Sequence, residues 1–444
     1  MRLGRSGSAI PGPLDEAASA PRFAALRRSL RALRNRSYRI FATGLVISTV
    51  GSWMQMMAQS WLVLELTDSG KALGLVFALQ TLPMLLIGAF AGVIADRVDN
   101  HRLLAWTSFG GVVQASSLGV MQATGHITVG WIYAFALGIG MVSAFDRPAM
   151  QALVYELAGP DDLSSAIGLG STINNTGRLL GPSLAGVLLA TAGMATVFFL
   201  NAATYAALIV CLLALRHAPR FARIGTGARA NLRDGFRYVW GDPTLRLAMV
   251  VMFVIGTFAY NFGALVPAMV HFEFHASALA VGLVQAVGGV GAILGGLFAG
   301  SLHRPTTRLL GIVATCFGLA VFASALAPSV AVFTIVWLPL GLASAIFTTV
   351  DQTLLQRESA PEYQGRVMSL FAVAWMGTTP IGGLIAGTIV DQWSARAAIG
   401  FGGVMAILAG LGALAYASTR VRPEVELATS AGAPLAGRTG EVRA

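Results

Sequence analysis

Only 11% of the 444 residues are charged and 55% are hydrophobic, against about a quarter charged in soluble domains, so the composition excludes a water-soluble globule and makes lipid the solvent. The formal charge of +10 comes from 29 arginines and a single lysine, Lys71. The arginines gather in the N-terminal segment, one central loop and alternate short loops, which is the positive-inside pattern of a membrane protein and excludes a nucleic-acid-binding patch.

Residues 1–36 form a predicted cytoplasmic segment whose first twenty or so, rich in Gly, Ser, Pro and Ala, are expected to be disordered. Arg22 to Arg39 then holds seven arginines, with Phe23, Leu26, Leu30 and Leu33 at helical spacing. This is either an amphipathic segment on the membrane surface or a topology signal. Twelve apolar runs follow, at about 40–64, 72–94, 103–124, 127–147, 163–190, 194–215, 247–270, 278–300, 308–328, 330–352, 366–390 and 396–417. Each approaches the roughly 20 residues a helix needs to cross a bilayer, and the alternation of a membrane barrel is missing. The first run is too long for a signal-peptide core and is expected to stay in the mature protein.

The runs divide into a first six-helix bundle at 37–215, a linker at 216–246 and a second bundle at 247–418. The polar tail at 419–444 is expected to be disordered. In the linker Leu232, Phe236, Val239 and Trp240 share a face opposite Arg233, Asp234 and Arg237, predicting a short interfacial helix that ends near Asp242-Pro243. Loops after even-numbered spans carry most of the arginines. Loops after odd-numbered spans carry only Lys71, His126, His271, His275 and Arg396. Both termini are therefore placed in the cytoplasm. Cys211 and Cys316 lie inside apolar runs, with no spacing for a disulfide framework or a zinc site.

The second bundle repeats the first. A shift of 208 positions matches nine of the nineteen residues from Gly74 to Gly92 with Gly282 to Gly300. A chain built twice from one helical unit predicts an all-α membrane protein, twelve transmembrane helices in two pseudo-symmetric six-helix bundles. The turn after span two, Gly92-Val-Ile-Ala-Asp96-Arg97, continues to Arg102. Gly88 and Gly92 would permit close helix packing, and Asp96 could then reach a helix N-terminus or Arg97 and Arg102. Such a contact would form a gate only while the cytoplasmic side is shut. Arg304 stands where the repeat echoes Asp96, so the gate is asymmetric.

Within the spans, polar residues recur at helical spacing. Ser48, Ser52, Gln55 and Gln59 share a stripe of span one; Ser171, Asn174 and Arg178 one of span five; Ser344, Thr348 and Asp351 one of span ten. Tyr260 and Asn261, Gln285 and Trp375 add polar or amphipathic groups in spans seven, eight and eleven. Such groups cannot face lipid tails without losing hydrogen bonds. Helix–helix bonding accounts for the Ser and Thr residues, whereas a substrate cavity is the reading for Gln55, Gln59 and Asn174. Arg178 sits near mid-membrane, where an unpaired charge costs several kcal/mol. Either it pairs with an acid such as Asp146, or it faces a water-filled path and meets a polar or anionic substrate. Asp146 and Asp351 lie near the basic-loop ends of spans four and ten and are read as repeat counterparts within a few positions. Both are candidates for proton exchange or, paired with Arg147 and Arg357, for the gate. Gly177, Gly181 and Pro182 in span five, echoed by Gly377, Pro380, Gly382, Gly383 and Gly387 in span eleven, are expected to bend or closely pack those helices.

Two six-span halves, the central loop and the Gly92-x-x-x-Asp96-Arg97 turn together resemble the major facilitator superfamily. Gly177-Arg-Leu-Leu-Gly181-Pro182-Ser-Leu-Ala-Gly186 resembles the fifth-span signature of its drug exporters. Gly51-Ser-Trp53-Met54-Gln55, Arg147-Pro148-Ala-Met-Gln151 and Asn174-x-x-x-Arg178-x-x-Gly181-Pro182 look closest to the enterobactin exporter and related macrolide and multidrug exporters. The resemblance covers about 30–420. It implies that the turn after span two is the cytoplasmic gate and that transport is outward. Two departures stand out: Asp99 and Asn100 replace the family's Gly and Arg, and Ala134 stands where many proton-coupled members carry an arginine. Residues 40–64 hold no acid of the kind cationic-drug exporters keep, which together with Arg178 points to a neutral or anionic, aromatic-bearing substrate.

His271, Glu273 and His275 read as a solvent-facing loop, not a metal site. No Walker loop or catalytic cluster is present, so neither an enzyme nor a cofactor is expected. The expected partners are the lipid bilayer, a small-molecule substrate and protons, with no nucleic acid, and the chain is expected to be a monomer in a bacterial inner membrane. The function expected is secondary export of a siderophore- or drug-like amphipathic molecule by proton antiport. A nutrient importer of the same fold and a non-transporting receptor or scaffold are the alternatives.

Overall fold

Asn35 opens the first long helix: its Oδ1 accepts the amides of Ser37 and Tyr38 at 2.9 and 3.4 Å, satisfying donors that a helix start leaves unpaired. Helix α1 then runs over Arg36–Thr67 and is followed by α2 Gly70–Ala95, α3 Asn100–Ala123, α4 Val129–Ala158, α5 Leu163–Thr191 and α6 Met194–Ala214. A short helix, α7 Leu232–Gly241, leads into the second half. There the helices are α8 Pro243–Phe258, α9 Phe262–Ala268, α10 Ala278–Ala299, α11 Thr307–Ala325, α12 Val330–Glu358, α13 Gln364–Ala372, α14 Thr379–Gln392 and α15 Ala395–Ser430. This computed structural model describes residues 30–95, 97–221, 232–300, 302 and 305–430. Asp96 and Arg304 of the expected gate therefore lie outside the described residues, as do the tail beyond 430 and the arginine-rich segment before Leu30.

Among the described residues, eleven helical stretches are long and apolar enough to cross a membrane. The twelfth expected crossing is α5, whose 29 residues give the length but whose Ser171, Asn174, Asn175 and Arg178 dilute its apolar character. Spans seven and eleven are broken, not continuous. Tyr260 and Asn261 stand between α8 and α9 outside any helix, and a π-helical turn, Val373–Gly377, separates α13 from α14. Pro380, expected to pack span eleven, falls in the first turn of α14, where its missing amide costs no bond.

The repeat is visible in the packing. A Cβ at Gly140 on α4 would meet the Gln80 carbonyl of α2 at 2.7 Å; one at Gly341 on α12 would collide with the Gly288 carbonyl of α10. The two carbonyls are 208 positions apart and the two glycines 201 apart, which sets the register of the fourth and tenth spans. In that register Asp146 corresponds to Phe347 and Asp351 to Met150, so the two carboxyls stand about one helical turn apart on equivalent helices and not at the same position.

Other differences are local. Arg31 forms an ion pair with Asp162 at 2.8 Å, and the Ala32 amide donates to Ser165 Oγ at 3.1 Å, so the chain before α1 docks on the turn between α4 and α5. Helix α7 matches the expected interfacial segment and ends where Asp242 caps α8. It buries Val239, leaves Phe236 and Trp240 exposed, and stacks Tyr238 on Tyr363 with centroids 4.1 Å apart. Helix α15 continues to Ser430, past its expected end near 417, because loss of apolar character ends a membrane signal without ending helix propensity.

Candidate functional site

Two close glycine crossings help join the halves, both on the side away from the basic loops. At one, a Cβ at Gly74 of α2 would strike the Gly383 carbonyl of α14. At the other, a Cβ at Gly282 of α10 would lie 2.9 Å from the Pro182 carbonyl of α5. Gly74 and Gly282 are repeat partners, so each half inserts its second helix against the fifth helix of the other. Pro182 and Gly383 occupy equivalent places in the two crossings. On the basic-loop side the same helices part. Among the described residues, a Cβ at Gly92 or Gly296 would meet nothing within 4 Å, and Leu86, Phe90, Leu297 and Phe298 are exposed. The close packing expected at Gly88 and Gly92 is thus not made in this open arrangement; Gly74 makes it instead.

Gln55 does not reach this opening. Its Nε2 donates to Gln114 Oε1 of α3 at 2.9 Å, and its Oε1 accepts Asn201 Nδ2 of α6 at 2.8 Å. Thr204 donates to Asn201 Oδ1 at 2.9 Å and completes a buried network inside the first bundle. Gln59 is likewise buried, accepting Gln80 Nε2 of α2 at 3.3 Å. The substrate reading of these two glutamines is corrected: polar residues on α3 and α6 take up the hydrogen bonds of Gln55, and Gln59 is buried against Gln80 of α2, its own amide nitrogen without a hydrogen-bond partner among the described residues. Asn201 in span six was the signal for it, as one amide in an otherwise apolar run.

The residues that face the space between the halves start with Trp53. Gly177 and Gly181 leave room for it, since Cβ atoms there would lie 2.9 and 2.5 Å from Trp53 carbons. Seated in this groove, the Trp53 indole donates to Asn174 Oδ1 at 3.4 Å, and Asn174 is exposed. One turn along α5, Arg178 is half-buried and has no hydrogen-bond or ion-pair partner among the described residues. The expected pairing with Asp146 is not formed; Asp146 instead accepts the Thr107 hydroxyl at 2.7 Å.

Opposite stands the break in span seven. The Tyr260 hydroxyl lies 2.8 Å from Ser344 Oγ and 2.9 Å from Thr348 Oγ1 of α12, and its ring meets Trp375 edge-on at 6.2 Å. Tyr260 is within electrostatic reach of Arg178 in the other half and of Asp351 in its own. Asn261 turns inward and donates to the Thr257 carbonyl at 2.7 Å, which removes it from the site. Gln285 is half-buried on α10. Asp351 is 0% exposed and neither carboxyl oxygen has a hydrogen-bond partner among the described residues, so in this conformation it is closed to any substrate. A bare carboxylate there is costly until it takes a proton or a counter-ion.

The turn after α2 is knitted into its own half. Asp99 caps α3 through the amides of His101 and Arg102 at 2.9 and 3.3 Å and holds Arg220 at 3.0 Å. Partial burial raises its carboxyl, but the Arg102 amide, the Arg220 guanidinium and the His101 amide outweigh that and hold it below the usual carboxylate range. Asn100 donates to Glu156 at 2.8 Å. Asp99 and Asn100, the two departures in this turn, are thus a helix cap and a loop tether. The side chains of Arg97 and Arg102 are exposed.

A family model described as transmembrane secretion effector matches residues 28–436. The staphyloferrin A transporter of Staphylococcus aureus is 24% identical over 349 residues, covering 77% of this chain and 86% of that protein. The multidrug efflux pump Tap of Mycolicibacterium fortuitum is 24% identical over 77% and 86% of the two chains. Macrolide efflux protein A of Streptococcus pyogenes is 23% identical over 80% and 89%. Among solved structures, the nucleoside transporter NupG superposes with a TM-score of 0.69 at 14% identity, over 86% of this chain and 98% of that one. A bacterial homologue of the lysosomal transporter Spinster, in an inward-facing conformation, gives 0.65 at 15% over 87% and 95%.

Proposed function

Because the chain belongs to the transmembrane secretion effector family, a branch of the major facilitator superfamily, and is a multi-pass secondary transporter, we propose that it exports a small amphipathic molecule across the bacterial inner membrane by alternating access. Both termini and the basic loops lie in the cytoplasm, so the arrangement described here is the inward-open one. Protons move inward in exchange. Asp351, buried without a hydrogen-bond partner among the described residues, is the proton-binding candidate; Asp146, already bonded to Thr107, serves structure. The protein works as a monomer.

The observation that carries this reading is Arg178, a half-buried cation without a protein partner among the described residues, flanked by Trp53 and Asn174 and facing Tyr260 and Trp375 across the opening. Rings on both sides and one free guanidinium suit an aromatic molecule bearing an anionic or strongly polar group, such as a siderophore-like or drug-like compound. The relatives named above are a staphyloferrin A transporter, a macrolide efflux protein and a multidrug efflux pump, which supports that class. Inverted membrane vesicles test it: a proton gradient acidic in the lumen, with protons flowing out, should drive catecholate or carboxylate siderophores into the lumen, and Arg178→Ala should abolish this while Arg178→Lys keeps part. Unchanged uptake in Arg178→Ala for every compound tested would remove the assignment, and transport in the opposite sense would make the chain an importer.

A further inference from the structure

The face away from the basic loops is held shut by more than its two glycine crossings. Helix α2 begins at Gly70 with amides that have no partner within the helix. A carboxylate from the other half supplies them. Asp391, near the end of α14, accepts the Gly70 amide at 2.5 Å, the Lys71 amide at 3.2 Å and the Ser69 hydroxyl at 2.7 Å. Its negative charge also sits at the positive end of the α2 dipole. Gly387 and Gly70 are in backbone contact beside it, which is what lets so short a side chain reach. The same loop makes a second tie, with Asp68 Oδ1 2.7 Å from His271 Nε2.

The pseudo-symmetric crossing has no such device. By the register of the repeat, Ser277, Ala278 and Leu279 stand for Ser69, Gly70 and Lys71, and Ala190 stands for Asp391. Ser277 makes no side-chain cap on α10, and the polar contact across that seam is Ser183 Oγ to the Gly282 carbonyl at 3.4 Å. Nearby charges do not compete for Asp391: Glu273 holds Arg396 at 3.0 Å, and Lys71 offers its amide. We propose that Asp391 is a one-sided latch of the transport cycle, an acid in one half that caps a helix of the other and sets how much of the protein rests inward-open. The α2–α14 seam must be unlatched for the outer face to open, while the α5–α10 seam separates without breaking a charged contact.

This rests on the alternating-access reading. Spin-label distances on the full chain in lipid nanodiscs, without substrate and with Cys211 and Cys316 replaced by alanine, test both. One labelled pair, Thr124 and Leu326, reports the latched face; Val98 and Arg308 report the opposite face. Asp391→Ala should raise the ratio of outward-open to inward-open protein roughly five-fold, the scale expected for losing an N-cap, with Asp391→Asn in between. Unshifted populations in a monodisperse Asp391→Ala protein would overturn the latch. Should that variant not fold, Ala190→Asp replaces it: a second latch should deplete the outward-open population, and no depletion would overturn the proposal. If instead neither distance ever shows two populations, in any variant or with substrate, the alternating-access reading fails.

Discussion

At Gln55 a polar side chain that looked like a ligand proves to be a strut. Replacing it by alanine strips partners from Gln114 and Asn201 inside the first bundle. Gln55→Ala is therefore expected to cost about 1 kcal/mol of stability, the scale of hydrogen bonds within membranes, and to leave substrate affinity unchanged. Thermal unfolding in detergent beside a binding titration checks both. Asp351 should behave in the opposite way. Asp351→Asn removes a buried carboxyl with no hydrogen-bond partner among the described residues, so the variant should fold at least as well as the parent while substrate efflux loses its coupling to proton movement. Proton flux recorded with a pH dye in vesicles reads this directly. At Asp99 the expectation concerns acidity. Its carboxyl is held low in the folded protein, so the stability it contributes is present above the ordinary aspartate range of about 3.9 and lost as pH falls through the depressed value. Because the pair with Arg220 is substantially solvated, the effect should be small. The melting-temperature gap between Asp99→Asn and parent should narrow on acidification; a gap that stays constant would remove Asp99 from the acid response. Polar periodicity revealed which residues in these spans need partners. It could not reveal which partners, because hydrogen-bonding side chains such as Asn201 and Thr107 come from helices remote in sequence.

Between helices, the close contacts fall on glycines whose absent side chain lets backbones touch. Gly341→Ala would drive a methyl into the Gly288 carbonyl within the second half. It should cost about 1–3 kcal/mol, as overpacking does, in any conformation. Gly74→Ala meets Gly383 of the other half, so its cost falls on the inward-open form alone. It should favour outward opening with little loss of melting temperature, and spin-label distances across the two faces separate these outcomes. The repeat from Gly74 to Gly92 was legible in the chain, but which of its glycines touch in a given state was not. Gly74 and Gly92 look alike in sequence, yet one sits at a seam that is closed and the other at an end that is open.

Across the whole molecule, the two halves meet along one face and part along the other, with Arg178 of the first half within electrostatic reach of Tyr260 in the second. A transporter of this shape needs an energy source that biases which face opens. Collapsing the proton gradient with an ionophore should stop efflux even where ATP is plentiful, and efflux that persists would point to another coupling ion. The chain by itself determined the membrane environment, the duplicated bundle, the interfacial helix of the linker and the short set of buried charges. Those follow from local composition and spacing, since lipid punishes every unsatisfied polar group wherever it falls. Only the tertiary structure decided that Gln55 is internal, that Asp146 and Asp351 occupy different registers, that Trp53 lies in a glycine groove and that Asp391 caps a helix some 320 residues away. These depend on contacts between helices distant in the chain, and the energy of such contacts is set by geometry that spacing along one helix does not encode.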